Sequence, residues 1–257
     1  MKLSATRIKT YLTCPRQFRY IYVDELPRVP TTPLLFGSAM HETLRWLHEC
    51  RMENGALASI EQATEDFQRR WNDLLQAQAP VFKPGMASQD YEAMARQMLA
   101  IHLKVSRKAP IPLLLEFPFE VAIGEHTLVG IFDRLDEGET GLVVMDYKTG
   151  SRKPTARDVE ADLQLTIYAF GMQQMFGLPV EKVICHWLRD GVDLVSTRDK
   201  DDFAWLVDEI VPYIANGVES ESFAPKPGYW CRWCDFRELC QAEGMGEGGA
   251  TSPTPSN

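Results

Sequence analysis

The sequence predicts an α/β fold, and three observations carry that reading. Apolar residues recur at helical spacing through most of residues 4–107, and the period changes to strand-like runs after Pro110 and Pro112. A helical pattern then resumes behind the last run. The chain has 257 residues, 45% of them hydrophobic, which suffices for one large domain with a real core.

Ser4 can cap a first helix that stops at Cys14, because Pro15 disfavours helix in the residue before it and suits the first turn of the next. "PRQFRYIYV" reads as that second helix. Pro27, Pro30 and Pro33 read as a linker, after which "FGSAMHETLRWLHEC" sets Phe36, Met40, Leu44 and Leu47 at helical spacing, with His41 on the same helix. Residues 59–77 and 88–107 read as two more helices, parted by "APVFKPGMAS", and the whole helical block covers about 37–110.

"LLLEFPFEVAI", "HTLVGIFDRLD" and "GLVVMDYKT" read as three strands of a meander. "VEADLQLTIYAFGMQQMFG" reads as a strongly amphipathic helix with Leu163, Ile167, Phe170 and Met175 near one stripe, ending at Gly177 and Pro179. A hairpin from "VEKVICHWLRD" and "DLVSTRD" and a long helix in "DDFAWLVDEIVPYIANG" follow. Three cysteines crowd the segment at about 223–243. Residues 244–257 are rich in Gly, Ser and Pro and predict a disordered tail, so a single domain over 1–243 is expected.

The net charge of −9 argues against a protein that coats nucleic acid. Basic charge is nonetheless concentrated: residues 1–23 carry Lys2, Arg7, Lys9, Arg16 and Arg19 with no acid, and 148–157 carry Lys148, Arg152, Lys153 and Arg157 with none. No apolar run reaches eighteen residues and the first ten lack the apolar segment of a secretory signal, so the expected location is cytoplasmic, with no membrane partner. A G-x-x-x-x-G-K-S/T phosphate loop is absent, so a helicase motor, if used, is expected in a partner.

Asp146 and Lys148 stand two apart in a strand pattern, so acid and ammonium share one face. Asp133 is expected to close one strand and Asp146 the next, which brings two carboxylates to one end of the sheet. Hard divalent ions such as magnesium take such oxygen ligands and keep waters for a substrate phosphate. Lys148 beside them could orient or deprotonate a water and offset charge on a pentavalent phosphorus, so the trio describes phosphodiester hydrolysis. A lone D-x-K is usually a solvated surface pair. The succession His41, Asp133, Asp146-x-Lys148, Gln164-x-x-x-Tyr168 is a far less frequent accident.

Six cysteines in a chain without an export signal favour metal binding over disulfides. Cys231, Cys234 and Cys240 follow C-x2-C-x5-C, one ligand short of a closed site, and Cys14 at its helix break is the best fourth. Zinc and a 4Fe-4S cluster both remain open on spacing. Cys50 and Cys185 read as core thiols. Tyr229 and the neighbouring tryptophans, with Arg232 and Arg237 interleaved, either stack on unpaired bases or pack around the metal.

In "GSAMHETL", "GIFDRLD", "VMDYKTG", "QLTIYAFG" and the cysteines, the chain resembles the PD-(D/E)XK nuclease superfamily, in its RecB-like branch with AddB-like and CRISPR-associated iron-sulfur exonucleases. The resemblance implies a restriction-endonuclease-like core: a mixed central sheet flanked by helices, with a helical insertion. An iron-sulfur staple would join the N- and C-terminal segments. It implies that His41, Asp133, Asp146 and the backbone carbonyl of Tyr147 bind Mg2+ or Mn2+, with Asp133, Asp146, Lys148, Gln164 and Tyr168 catalytic. Cys14, Cys231, Cys234 and Cys240 would hold a 4Fe-4S cluster. The implied activity is a metal-dependent deoxyribonuclease, an exonuclease on single-stranded DNA ends in repair, recombination or CRISPR adaptation, with a helicase or CRISPR integrase as partner. The alternative is a non-catalytic iron-sulfur protein for DNA binding or assembly.

Overall fold

Six strands form one mixed sheet in the computed structural model, which describes residues 1–243. The expected disordered tail at 244–257 lies outside the described residues. Strands β2 (Leu114–Ile123), β3 (His126–Glu137) and β4 (Leu142–Lys148) make the predicted antiparallel meander. A short β1 (Lys2–Ser4), which the sequence pattern did not signal, adds in parallel to β3 at Thr127–Val129. After a helical crossover, β5 (Val180–Trp187) joins β4 in parallel, and β6 (Val192–Ser196) closes the sheet antiparallel to β5.

Because β2 covers one edge of β3, β1 and β4 share the other. The first pairs as far as Val129 and the second from Arg134 onward, so β3 residues 130–133 have no strand partner on that edge.

The N-terminal helices are α1 (Ala5–Thr13) and α2 (Pro15–Tyr22), parted at Cys14 by its extended backbone. Ser4 Oγ accepts the Arg7 N–H at 3.2 Å, the expected cap. The helical block is α3 (Thr32–Asn54), α4 (Ile60–Gln78) and α5 (Ser88–Ser106). Pro33 belongs to this block and not to the linker: it sits in the first turn of α3, where a missing N–H costs nothing. Behind β4 come α6 (Ala156–Glu160) and α7 (Leu163–Phe176). A π-helical turn at Trp205–Ile210 joins α8 (Lys200–Ala204) to α9 (Val211–Glu219), and α10 (Arg237–Ala242) follows the cysteine loop. Among the described residues no helix is long and apolar enough to cross a membrane.

Both faces of the sheet are covered. Leu142 and Val144 of β4 enter a core with α1 and α7, while Val143, Met145 and Tyr147 enter a second core inside the helical block. Asp146 and Lys148, in step with Val144, therefore face α7. The amphipathic reading of α7 is corrected here. Residues Leu163 and Leu165–Met172 are buried on every side, because α1 and α8 cover the surface that an exposed helix would give to water, while Met175 lies outside at 39% exposure.

Candidate active site

The β2–β3 hairpin kinks where Glu116 faces Asp133, between the register pairs Leu115–Arg134 and Phe117–Phe132. Residues three apart in a regular strand point to opposite faces, yet Phe132 and Leu135 both enter the α7-side core, as do Leu114 and Phe117. Both strands reverse at this step, and Glu116 takes a left-handed backbone, φ +42°. Asp133 thus lies at a kink inside β3 and does not close the strand, contrary to the expectation from sequence. Lacking a strand partner on its open edge, it takes the Tyr147 N–H of β4 on Oδ2 at 2.6 Å.

His41 of α3 reaches the same point. Its Nδ1 lies 3.1 Å from Asp133 Oδ1 and 3.8 Å from Glu116 Oε1, and its Nε2 lies 3.1 Å from the Tyr147 carbonyl. Both ring nitrogens face acceptors, which suits an imidazolium donating twice. Burial is the largest single influence and works to lower the His41 pKa, but Asp133, Glu116 and Asp146 together carry it well above the usual imidazole value. The ring thus lies among two carboxylates and a carbonyl.

Asp146 and Lys148 meet on the α7 side of β4, with Lys148 Nζ 2.6 Å from Asp146 Oδ2. Gln164 braces both, its Nε2 donating to Asp146 Oδ1 at 2.9 Å and its Oε1 accepting from Lys148 at 3.1 Å. Tyr168, one turn on, accepts from Gln164 Nε2 at 2.8 Å. Asp162 fixes where α7 begins by accepting the Gln164 backbone N–H at 2.8 Å, and it is itself paired with Lys9. Burial pushes the Asp146 carboxyl up to about 6, with Asp133 adding while Lys148 and His41 oppose. Burial also works against the Lys148 ammonium, but Asp146, with Asp162 and Asp133 adding, more than offsets it and the lysine pKa is raised.

Among the described residues, His41, Glu116 and Asp133 are the set that brings three metal-ligating side-chain atoms within 4.8 Å of one another. With Asp146 and the Tyr147 carbonyl alongside, this carboxylate, carbonyl and imidazole set fits a hard divalent ion. Glu116 escaped the sequence reading. It lies in the apolar run "LLLEFPFE", where only an acid out of step with its neighbours hinted at a kink.

The four cysteines also converge. Burial raises the Cys234 and Cys240 thiols, and Cys14 and Cys231 add to both shifts. Backbone N–H groups of Lys226 and Gly228 donate to Cys14 and Cys231 Sγ, each at 3.5 Å. Four thiols brought together form a donor set that suits zinc or an iron-sulfur cluster. Of the aromatics beside it, Tyr229 and Trp233 are each 72% exposed, so they are not packed around the sulfurs.

The two basic segments are largely engaged within the chain: Lys2 with Glu120, Lys9 with Asp162, Arg19 with Asp24, Arg152 with Asp158 and Lys153 with Asp190. Such surface pairs are weak and leave the cations available to a phosphate chain.

Known proteins resemble the chain in fold and in sequence. A crystal structure of a candidate exonuclease from Eubacterium rectale superposes with a TM-score of 0.59 at 11% identity, over 98% of this chain and 90% of that one, a likeness of fold. An ATP-dependent helicase/nuclease component from Moorella thermoacetica is 31% identical over 112 residues, which is 40% of this chain but 8% of that protein. The sequence profile of the PD-(D/E)XK nuclease superfamily matches residues 2–241. With nearly all described residues inside that match, the chain belongs to the PD-(D/E)XK nuclease superfamily.

Proposed function

We propose that the chain is a metal-dependent deoxyribonuclease, an exonuclease acting on single-stranded DNA ends and working beside a helicase or a CRISPR integrase. One observation carries the reading. Two hydrogen-bonded and ionic networks, one of His41, Asp133 and the Tyr147 peptide group and one of Asp146, Lys148, Gln164 and Tyr168, meet through the backbone of β4 and draw on four separate elements. His41, Glu116, Asp133, Asp146 and the Tyr147 carbonyl would hold Mg2+ or Mn2+, which supplies Lewis acidity at the scissile phosphate.

The remaining groups do the chain's own share of the chemistry. With Asp146 as counter-ion Lys148 stays an ammonium, so its first task is electrostatic, a donor aimed at charge developing on the phosphate. Gln164 fixes the distance between acid and lysine, and Tyr168 fixes Gln164. Cys14, Cys231, Cys234 and Cys240 would hold a 4Fe-4S cluster that fastens the first segment to the last. The helicase partner is supported by the likeness to a helicase/nuclease component.

Lys148→Ala and Asp146→Ala are each expected to reduce DNA cleavage more than 100-fold while circular dichroism and iron content stay as in the parent. Parent-level cleavage by either variant would refute the assignment.

A further inference from the structure

Tyr147 is held at the edge of β4 and on one of its faces. Its N–H donates to Asp133, its carbonyl accepts from His41, and its ring enters the core of the helical block. Three histidines surround that ring. His48 of α3 stacks on it at 6.4 Å and 5°, while His102 of α5 and His186 of β5 meet it edge-on at 5.4 and 5.6 Å.

The same groups are hydrogen-bonded in series. The Tyr147 hydroxyl lies 3.2 Å from His48 Nε2, which lies 3.0 Å from His102 Nε2. His102 Nδ1 lies 3.3 Å from His186 Nε2, and His186 Nδ1 ends the chain 2.6 Å from Asp193 Oδ1. The three imidazoles are 0%, 1% and 4% exposed. Arg134, tied to Asp136 at 2.7 Å and to the Pro110 carbonyl at 2.9 Å, closes the cluster 3.3 Å from His48 Nε2.

Stability alone does not call for such a chain, because apolar side chains of similar volume fill a core at least as well as buried polar ones. Direction is what hydrogen bonds add. A side-chain ligand can turn about its own bonds to meet a metal, but a backbone carbonyl is aimed only by fixing its peptide plane. Ligand geometry tolerates errors of only about 0.5 Å.

We propose that the imidazole chain His48–His102–His186 positions the Tyr147 carbonyl, so that the helical block serves as the rear wall of the metal site. The inference rests on reading that carbonyl as a metal ligand. His48, His102 and His186 are then positioning residues, and they give the block a task inside the nuclease domain.

The test is Mn2+ binding to the full chain without DNA, read from the electron paramagnetic resonance of free Mn2+, alongside thermal melting. Tyr147→Phe, which keeps the ring and removes the hydroxyl, and His102→Leu are each expected to weaken Mn2+ binding about fivefold or more. His102→Gln, which keeps a donor and an acceptor, recovers part of the loss. Phe67→Leu, in the same core but outside the chain of imidazoles, lowers the melting temperature and leaves Mn2+ affinity within twofold. Unchanged affinity in both Tyr147→Phe and His102→Leu, or an equal loss in Phe67→Leu, overturns the proposal. Absence of Mn2+ uptake by the parent overturns the metal reading itself, and this inference with it.

Discussion

Glu116 holds a backbone conformation that costs an ordinary residue about 1–2 kcal/mol. Nothing in packing requires an acid there, and its carboxylate faces His41 and stands beside Asp133. Strain kept at such a position is consistent with a function that outweighs it. Glu116→Gly is therefore expected to leave stability unchanged or raise it by up to about 1 kcal/mol in urea unfolding, while weakening Mn2+ binding about tenfold. Unaltered Mn2+ affinity would remove Glu116 from the metal site. His41, Asp133, Asp146, Lys148, Gln164 and Tyr168 could be named from the sequence because their order and spacing survive without coordinates. Glu116 could not, since its place depends on a kink that reverses both strands. Nor could the histidine chain, because residues 48, 102 and 186 are far apart until α3, α5 and β5 pack.

At the scale of elements, α7 approaches the hairpin closely enough to need two glycines. A Cβ at Gly130 would stand 2.5 Å from Phe119 Cε1, and one at Gly171 would stand 2.6 Å from Phe119 Cε2. The Phe119 ring fills that gap and meets Tyr168 edge-on at 6.0 Å and 88°, which fixes the residue that fixes Gln164. Gly171→Ala is expected to cost about 1–3 kcal/mol by overpacking and to lower kcat while KM changes little. Denaturant unfolding and steady-state cleavage would measure the two effects. The meander, the helical block and the crossover helix were legible from periodicity. The short β1 was not, because three residues carry no pattern, and the burial of α7 was not, because its cover comes from distant α1 and α8.

At the scale of the molecule, the first and last described segments are bound together even apart from the sulfurs. Arg16 pairs with Glu243 and donates to the Phe223 carbonyl, Tyr11 donates to the Ser222 carbonyl, and Arg28 pairs with Asp235. A cluster on Cys14 and the C-terminal triplet would close a loop of more than 200 residues, so Cys14→Ser should abolish iron uptake and lower the melting temperature. Zinc, measured by mass spectrometry in anaerobically purified parent protein at about one per chain and without iron, would replace the cluster reading. The central claim is that the site of His41, Asp133, Asp146 and Lys148 cuts DNA with a divalent metal. The most direct measurement incubates anaerobically purified protein with end-labelled single- and double-stranded DNA and Mg2+ or Mn2+, beside Lys148→Ala. Metal-dependent shortening of single strands from an end, absent in the variant, is the predicted result. No cleavage of either substrate by cluster-loaded parent protein would contradict it.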